Sequence, residues 1–481
     1  MALASAARNN PALPDVREHR LRLKLLTAAL LFAGLLLRVF FVRRHGFLAA
    51  DSLLYQDIAQ SWLHAHIYGL SNGPVPRPTL IRLPGYPAIL AAMSWAFDRF
   101  LNADTGTLAS FLPVLWLQVF ADLATCWLAA RITRALYSQR AATAALAIGC
   151  LCPFTANYTA VPLTESFTIF FLALAFWLLL RWLQQPSYVR LTAVALAISC
   201  GVLLRPDQGV LALAILPVLF FARPARTQFR QRLVPVVVCV VIAAAPFVPW
   251  TLRNMRTFHV FQPLAPKLAN DPGEVPPVGF QRWYRTWAVD FNSTQDAYWK
   301  YPEEAIQVAD LPGRAFDSPQ EKAYVTSLLQ QDRWTQRQDP NIEARFADLG
   351  RARARRHPLR TFLVLPVARV LNMLLHPRTE MLPVAELWWQ YWLHPAQTLF
   401  AWWYAALNLA YFAAAAVGAA RFIRKTQAND AGRAVAWSML GYVALRCAVL
   451  LTIDNPEQRY TLEFFPILFV FAGALWTERR A

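Results

Sequence analysis

The chain contains few charged residues for its length. Asp, Glu, Lys and Arg make up 16% of its 481 residues, hydrophobic residues make up 57%, and the mean hydropathy is +0.31. Soluble globular domains carry about 25% charged residues and have less apolar surface to bury. The composition therefore excludes an ordinary water-soluble protein and predicts a membrane protein.

Cysteine and histidine are also scarce, with six and eight residues. All six cysteines fall in or beside long apolar runs, and none falls in the polar stretch between residues 253 and 396, so we expect no structural disulfide. No pair of cysteines has the spacing of a zinc site, and His64 and His66 share no helix face. We therefore predict no protein metal site and no cofactor, and the participation of a divalent cation stays open.

Mostly apolar runs of 15 to 24 residues recur along the chain. A helix needs about 20 residues to cross about 30 Å of hydrocarbon. The runs predict roughly ten spans, at residues 24–42, 110–130, 141–156, 165–181, 190–204, 208–222, 233–250, 397–420, 434–452 and 460–476. The third, fifth and sixth runs are the shortest. The expected fold is an all-α polytopic membrane protein.

The positive charge of the chain reports its topology. The net charge is +18, but the basic residues fall in short blocks before the first apolar run and after the second, sixth and eighth. Under the positive-inside rule these blocks place both termini in the cytoplasm, and they predict no nucleic-acid partner. The first run leads into Arg43 and Arg44 without a small-residue cleavage site, so we expect it to remain as a span. Arg38, inside this run, is expected to extend to the outer interface.

Three regions follow from this pattern. Residues 1–252 form a membrane module whose first outer loop, residues 43–109, carries an acid soon after a membrane exit. Residues 253–396 lose the hydrophobic runs and gain charge, which predicts a soluble domain outside the cytoplasm. Within it, Phe362 to Leu375 is apolar enough to lie as a helix on the membrane surface. Residues 397–481 return to transmembrane helices.

Charged residues stand at the outer ends of several predicted spans. Three acids (Asp51, Glu165 and Asp207) and four arginines (Arg82, Arg205, Arg253 and Arg459) occupy such positions. Charges are expensive in apolar surroundings, so a cluster of both signs indicates a bound polar ligand with an anionic part, such as a lipid phosphate. We take Asp51 as the base and the four arginines as the phosphate ligands. The predicted substrate-binding residues are Tyr55, Tyr86, Glu165, Asp207 and Tyr460.

Each of these charges also has a simpler explanation. Asp51 can cap the helix that follows it, and Glu165 can complement a helix dipole. Arg82 can bind lipid head groups, as interfacial arginines do. Arg205 and Asp207 can form a local ion pair that contributes little.

An ordered set of motifs gives these residues a second meaning. The chain has an acid after the first span, then RLPGYP at 82–87, Thr-Glu at 164–165, LLRPD at 203–207, PWTLRN at 249–254 and a final EQRY at 457–460 followed by Pro466. In this order the motifs resemble those of membrane glycosyltransferases of the GT-C fold. The chain is most similar to bacterial members of the dolichyl-phosphate-mannose protein mannosyltransferase family, relatives of the lipid A aminoarabinose transferase.

The resemblance implies transfer of a sugar from a polyprenyl-phosphate donor outside the cytoplasm, with the active site on the periplasmic side of a bacterial inner membrane. It implies that Asp51 activates the acceptor, that Glu165 is a second acid, and that the arginines at 82, 205 and 459 surround the donor phosphate. Many protein mannosyltransferases have Asp-Glu where this chain has Asp51 and Ser52. That difference weakens the case for a protein acceptor, and lipid, glycan and protein acceptors all stay open.

The chemistry of such a transfer agrees with the residues present. A base must take the proton of the acceptor hydroxyl, and cations must hold the charge of the departing phosphate. Because the leaving group is a phosphate, no acid has to protonate it, and we expect inversion at the anomeric carbon. The alternative is a transporter or flippase of lipid-linked sugars. Transporters usually contain internal repeats with paired broken helices, and the sequence shows no repeat of fixed period.

Overall fold

The computed structural model describes residues 16–101, 104–221, 228–301, 304–335, 339–385, 387–424 and 429–477. The two termini and parts of three basic blocks, at residues 1–15, 222–227 and 425–428, lie outside the described residues. The described residues form helices joined by short connections, with one hairpin of two-residue strands. The prediction of an all-α polytopic fold is confirmed.

The described residues of the N-terminal region form eleven α-helices and the hairpin. They are α1 (Val16–Arg44), α2 (Ala50–Ala65), β1 (Gly69–Leu70), β2 (Arg77–Pro78), α3 (Gly85–Leu101), α4 (Leu112–Leu136), α5 (Gln139–Cys150), α6 (Pro153–Tyr158), α7 (Glu165–Gln184), α8 (Tyr188–Leu204), α9 (Gly209–Phe221), α10 (Phe229–Ala244) and α11 (Phe247–Phe258). Single 3-10 turns precede α4 and α9. Helix α11 runs across residue 252, where we predicted the module to end.

In the rest of the chain the described residues form eight α-helices. They are α12 (Val278–Tyr284), α13 (Phe291–Ser293), α14 (Pro319–Thr335), α15 (Pro340–Arg356), α16 (Leu365–Leu375), α17 (Pro395–Arg424), α18 (Asp430–Leu450) and α19 (Phe465–Gly473). A π-helical turn, Arg360–Val364, leads into α16, and a 3-10 turn, Gln458–Phe464, leads into α19.

Fewer helices can cross a membrane than the ten predicted. By length and composition, six described helices are long and apolar enough to cross a membrane, when the turn Gln458–Phe464 and α19 are counted as one helix that ends at Trp476. The number rises to eight if two bent helix pairs each count as one span. The third predicted run divides at Pro153 into α5 and α6, whose 12 and 6 residues are too short for about 30 Å of hydrocarbon. The fifth and sixth runs form helices of 17 and 13 residues. Pro153 and the turn around Arg205 interrupt apolar runs that the composition alone presents as continuous helices.

Helix α19 lies at the centre of the bundle and packs against α4, α5 and α17. Its contacts are close because small residues stand at the crossings, as is usual between membrane helices. A Cβ on Gly418 of α17 would lie 1.8 Å from the carbonyl oxygen of Phe471. A Cβ on Gly473 would lie 2.7 Å from the carbonyl oxygen of Ala141 in α5. The last helix is therefore fixed to both halves of the chain.

Arg38 of α1 does not extend to the interface, which corrects the prediction. Its side chain is fully buried, and its Nε donates a hydrogen bond of 2.8 Å to Asp122 Oδ2 in α4. The guanidinium also donates to the carbonyl oxygen of Cys150 in α5 at 2.7 Å. The sequence concealed this pairing because Asp122 lies 84 residues away inside another apolar run.

The region between α11 and α17 has a separate aromatic core. Phe280, Trp283 and Trp287 of the α12 segment are buried together with Phe346 of α15. Glu343 of α15 accepts hydrogen bonds from the first backbone N–H groups of α12, at 2.6 and 3.1 Å. Helix α15 and the helix Arg360–Leu375 meet at 102°. The placement of that second helix on a membrane surface remains a prediction.

We predict that Asp122→Asn destabilises the protein by about 3 to 5 kcal/mol, because it leaves the buried Arg38 guanidinium without a counter-charge. The double variant Arg38→Met/Asp122→Leu should recover most of this loss. Thermal unfolding in detergent measures both effects. The control is Glu18→Gln, which breaks an exposed ion pair with Arg22 on the same helix and should change stability by less than about 1 kcal/mol. Equal stability of Asp122→Asn and Glu18→Gln would contradict the prediction.

Candidate active site

A cavity of about 590 Å³ lies where five distant segments of the chain meet. These are the start of α2 with the loop before α3, the start of α7, the turn between α8 and α9, the loop at 264–269, and the segment from 449 to 460; Gln281 and Tyr298 also line the cavity. Apolar residues such as Leu204 and Val449 share its wall with charged residues. The cavity therefore suits a ligand that is partly polar and partly apolar.

Asp51 lies on the wall of this cavity between two arginines. Its Oδ1 accepts a hydrogen bond of 2.8 Å from Arg82 Nη2, and its Oδ2 accepts one of 3.2 Å from Arg459 Nη1. Burial opposes ionisation of this carboxyl group, but Arg459 and Arg82 outweigh burial and hold its pKa below the usual range. The N-cap of α2 is Ala49, so Asp51 is not the helix cap that the simpler explanation required.

The ion pairs of Asp51 continue into an alternating chain of acids and arginines. Arg459 also contacts Glu457 at 2.5 Å and approaches Glu165 at 4.0 Å. Glu165 accepts a hydrogen bond of 3.0 Å from Arg205. The chain of charges thus begins at the first outer loop and reaches the start of α7 and the α8–α9 turn. Because every member has an opposite neighbour, none is buried as an isolated charge.

Two residues extend this chain into the bundle and were not predicted. Arg446 of α18 is fully buried and lies 2.6 Å from Asp207 Oδ2 and 2.7 Å from Glu463 Oε2. Arg205 contacts the same Asp207 at 3.4 Å. Arg446 and Glu463 stand within apolar runs, and a charge inside a predicted span is itself a sign of function. That signal, applied to spans nine and ten, could have identified both.

Two predicted tyrosines line the cavity. The Arg82 guanidinium lies over the ring of Tyr55 at 5.9 Å, and the Arg205 guanidinium lies over that of Tyr460 at 5.3 Å. Cation–π contacts of this kind orient the guanidinium groups. Burial raises the pKa of Tyr55 to about 12, so it stays a neutral hydrogen-bonding group.

Tyr86 and Arg253 do not line the cavity, which corrects two predicted site residues. Tyr86 is fully buried below it, with its ring against Tyr55 at 5.0 Å and its hydroxyl donating to Gln118. Arg253 donates hydrogen bonds of 2.7 Å to the carbonyl oxygens of Thr79 and Tyr68. These hydrogen bonds hold the first outer loop, and they occupy the guanidinium that was predicted to bind phosphate.

Lys267 was not predicted as a site residue. It lies in the loop at 264–269, which lines the cavity. Among the described residues that line the cavity, four are acids and four are cations. The three arginines contact carboxylates, and the fourth acid, Asp454, lies 3.5 Å from Arg285. Within the described part of the chain Lys267 is the lining cation without such a partner. It is exposed and free to reach an anionic ligand.

The acids of the cavity do not assemble into a metal site. Among the described residues, no group of three or more His, Cys, Asp or Glu side chains could hold a metal ion. The carboxylates of Asp51, Glu165 and Asp207 each contact arginine. The arrangement instead suits an anionic ligand that replaces a carboxylate as the partner of an arginine.

Similarity to known proteins agrees with this fold. Residues 105–252, from the approach to α4 into α11, match the model of the family described as dolichyl-phosphate-mannose-protein mannosyltransferase. No curated protein sequence matches the chain.

Two solved structures are similar to the chain. One is the archaeal oligosaccharyltransferase AglB from Archaeoglobus fulgidus, in complex with an inhibitory peptide and a dolichol-phosphate, with a TM-score of 0.50, 12% identity, and coverage of 95% of this chain and 50% of that protein. This chain thus spans about half the length of AglB. The other is ArnT from Cupriavidus metallidurans bound to undecaprenyl phosphate, with a TM-score of 0.36, 12% identity, and coverage of 96% and 78%.

The resemblance predicted from the ordered motifs is confirmed by the family match and by the fold. The family match covers α4 to α10, and the fold similarity to AglB extends over nearly the whole chain. The chain is therefore a polytopic membrane protein of GT-C fold, and its residues 105–252 match the model of the dolichyl-phosphate-mannose-protein mannosyltransferase family.

Proposed function

We propose that the protein is a glycosyltransferase that moves a sugar from a polyprenyl-phosphate donor to a hydroxyl acceptor, with Asp51 as the base. The observation that carries the proposal is the carboxylate of Asp51 held between Arg82 and Arg459 on the wall of a half-apolar cavity. The polar part of the cavity suits a sugar phosphate and the apolar part suits the first units of its lipid.

The donor phosphate and the Asp51 carboxylate compete for the same guanidinium groups. Arginine binds phosphate in the same two-pronged way as it binds a carboxylate. When the phosphate takes Arg82 and Arg459, Asp51 loses its partners and its pKa rises, which makes it a better base. Binding of the donor would thus activate the base, and in its absence Asp51 stays ionised and paired.

The chemical step then proceeds as a direct displacement. Asp51 accepts the proton of the acceptor hydroxyl while the hydroxyl oxygen bonds to the anomeric carbon from the face opposite the phosphate. The bond between that carbon and the phosphate oxygen breaks, and the phosphate leaves as a monoester with one more negative charge. Arg205 and Lys267 are positioned on the cavity to stabilise this added charge. The expected product has inverted configuration.

Support for the donor class comes from the family and from the site. The matching family is named for a dolichyl-phosphate sugar donor. The positive-inside pattern of the sequence favours a position of the first outer loop, and with it Asp51, outside the cytoplasm. We therefore propose a bacterial inner membrane location with transfer on the periplasmic side. Screening of sugar donors and hydroxyl acceptors would identify the two substrates.

Replacing Asp51 should separate catalysis from donor binding. We expect Asp51→Asn to lower turnover with a polyprenyl-phosphate sugar by about 100- to 10,000-fold, because the base is lost. The same variant should bind free polyprenyl phosphate more tightly than the wild type, because the amide no longer neutralises Arg82 and Arg459.

The matched control for this experiment is Asp57→Asn, on the same helix. Asp57 contacts Ser71 and lies outside the cavity, so both properties should stay at wild-type level. Wild-type turnover of Asp51→Asn would remove Asp51 from the role of base. Movement of the lipid-linked sugar across vesicle membranes without any transfer would favour the transporter.

The pH dependence should show the exchange of partners. In the free enzyme the arginines hold the pKa of Asp51 below its ordinary value of about 3.9, so the base form persists to low pH. After the phosphate takes the arginines, the pKa rises. The acidic limb of kcat, which reports the donor complex, should therefore lie at higher pH than the acidic limb of kcat/KM, which reports the free enzyme. Coincident limbs would show that the donor leaves the partners of Asp51 unchanged.

Lys267 should contribute to donor binding through charge. We expect Lys267→Gln to raise KM for the donor about tenfold, since a hydrogen bond to a charged group contributes about 1.5 kcal/mol. Lys267→Arg should preserve most of the affinity. The exposed Lys322 of α14 provides a control position outside the cavity. If Lys267→Gln and Lys322→Gln have the same KM, Lys267 does not contact the donor.

A further inference from the structure

The helix that begins at the Arg360–Val364 turn and continues as α16 exposes an apolar stripe. Leucine or valine stands at every fourth position from Leu359 to Leu375, and all five of these side chains are 41% to 74% exposed. Phe362 and Val364 widen the stripe at its start. A soluble protein would not present a row of this length to water, so the stripe has an apolar partner.

The opposite face of the same helix is fixed to the protein. Leu365, Val370 and Met373 are buried, and α16 packs against the turn Gln458–Phe464. Arg378, which follows α16, donates a hydrogen bond of 3.1 Å to the carbonyl oxygen of Gln458. This turn carries Arg459, the partner of Asp51. The orientation of the stripe therefore follows from the packing of the other face, and it points away from the bundle.

Arginines gather at the end of the stripe where α15 meets the next helix. We name Arg351, Arg355, Arg356 and Arg360 the arginine corner. Arg351, Arg355 and Arg356 are exposed, and Arg360 is half-buried. Arg356 and Arg360 lie within three residues of Leu359 along the chain, where the two helices meet, so basic groups border one end of an apolar surface.

The acids near the corner do not balance it. Together with the buried Arg353, the corner provides five arginines, and among the described residues four of them contact three acids, Asp317, Glu321 and Asp348. Two positive charges remain in excess. Because Asp317 is shared by three arginines, the exposed guanidinium groups keep free N–H donors.

We propose that the arginine corner binds the anionic head groups of membrane phospholipids while the apolar stripe enters the outer leaflet beside them. An amphipathic helix with basic residues at its border binds a membrane through both terms at once. The charge excess selects anionic over zwitterionic lipid. The surface is separate from the cavity, and the proposal is independent of the sugar transfer.

Lipid binding at this surface would support the site through two contacts. The turn Gln458–Phe464 rests on α16, and Arg369 of α16 lies 3.9 Å from Asp454, which lines the cavity. An anionic leaflet that fixes α16 would hold Arg459 and the rim of the cavity in place. The membrane would then help to hold the cavity wall in position through α16.

The test compares the full chain in nanodiscs of phosphatidylcholine alone and of phosphatidylcholine and phosphatidylglycerol in equal amounts. We expect slower amide hydrogen exchange across residues 351–375 in the anionic discs. Short-chain phosphatidylglycerol added to the detergent-solubilised protein should bind more tightly than short-chain phosphatidylcholine. In the variant Arg351→Gln/Arg355→Gln this affinity should fall about 10- to 30-fold, since each basic residue contributes about 1 kcal/mol near an anionic surface.

The control variant is Lys322→Gln/Arg345→Gln, which removes one exposed and one half-buried cation from α14 and α15 away from the stripe. It should bind phosphatidylglycerol like the wild type. Equal melting temperatures of the two variants and the wild type verify that both variants fold. Equal affinity for the two lipids, equal losses in the two variants, or protection that disappears on dilution and so reports self-association would each overturn the proposal.

Discussion

The structure depends on charge neutralisation inside an apolar bundle. Carboxylates and guanidinium groups alternate from Arg82 and Asp51 through Arg459, Glu165 and Arg205 to Asp207 and Arg446. Each group would be very costly to bury alone, so the network is stable only as a whole. The same property makes it exchangeable, because an incoming anion can replace one carboxylate without leaving any guanidinium unpaired.

Much of the fold could be predicted from hydrophobic run length, since that length reflects the thickness of the bilayer. Six of the ten predicted runs became full-length helices. The remaining runs were divided or shortened by features that composition does not weigh, such as Pro153 and the turn at Arg205. The packing of α19 against Gly418 could not be predicted, because a close crossing depends on which faces of two distant helices meet.

The site was predictable to the extent that its charges stand at the ends of apolar runs. Asp51, Glu165, Arg205 and Arg459 stand there, and the structure brings them to one cavity. The sequence does not show in which direction a side chain points. Arg253 and Tyr86 were therefore predicted to line the cavity, although they contact the residues around it and do not line it. Lys267 sits in a loop without periodicity, where only the three-dimensional path of the chain shows what it faces.

The ion pair between Asp51 and Arg459 joins residues 408 positions apart. During synthesis the loop that carries Asp51 is therefore made long before Arg459, its second partner, exists. Until α18 and the turn Gln458–Phe464 are made, Asp51 pairs only with Arg82 and Asp207 only with Arg205, because Arg459 and Arg446 are still missing. The last helices therefore complete the charge network, so the site reaches its final form only at the end of biogenesis.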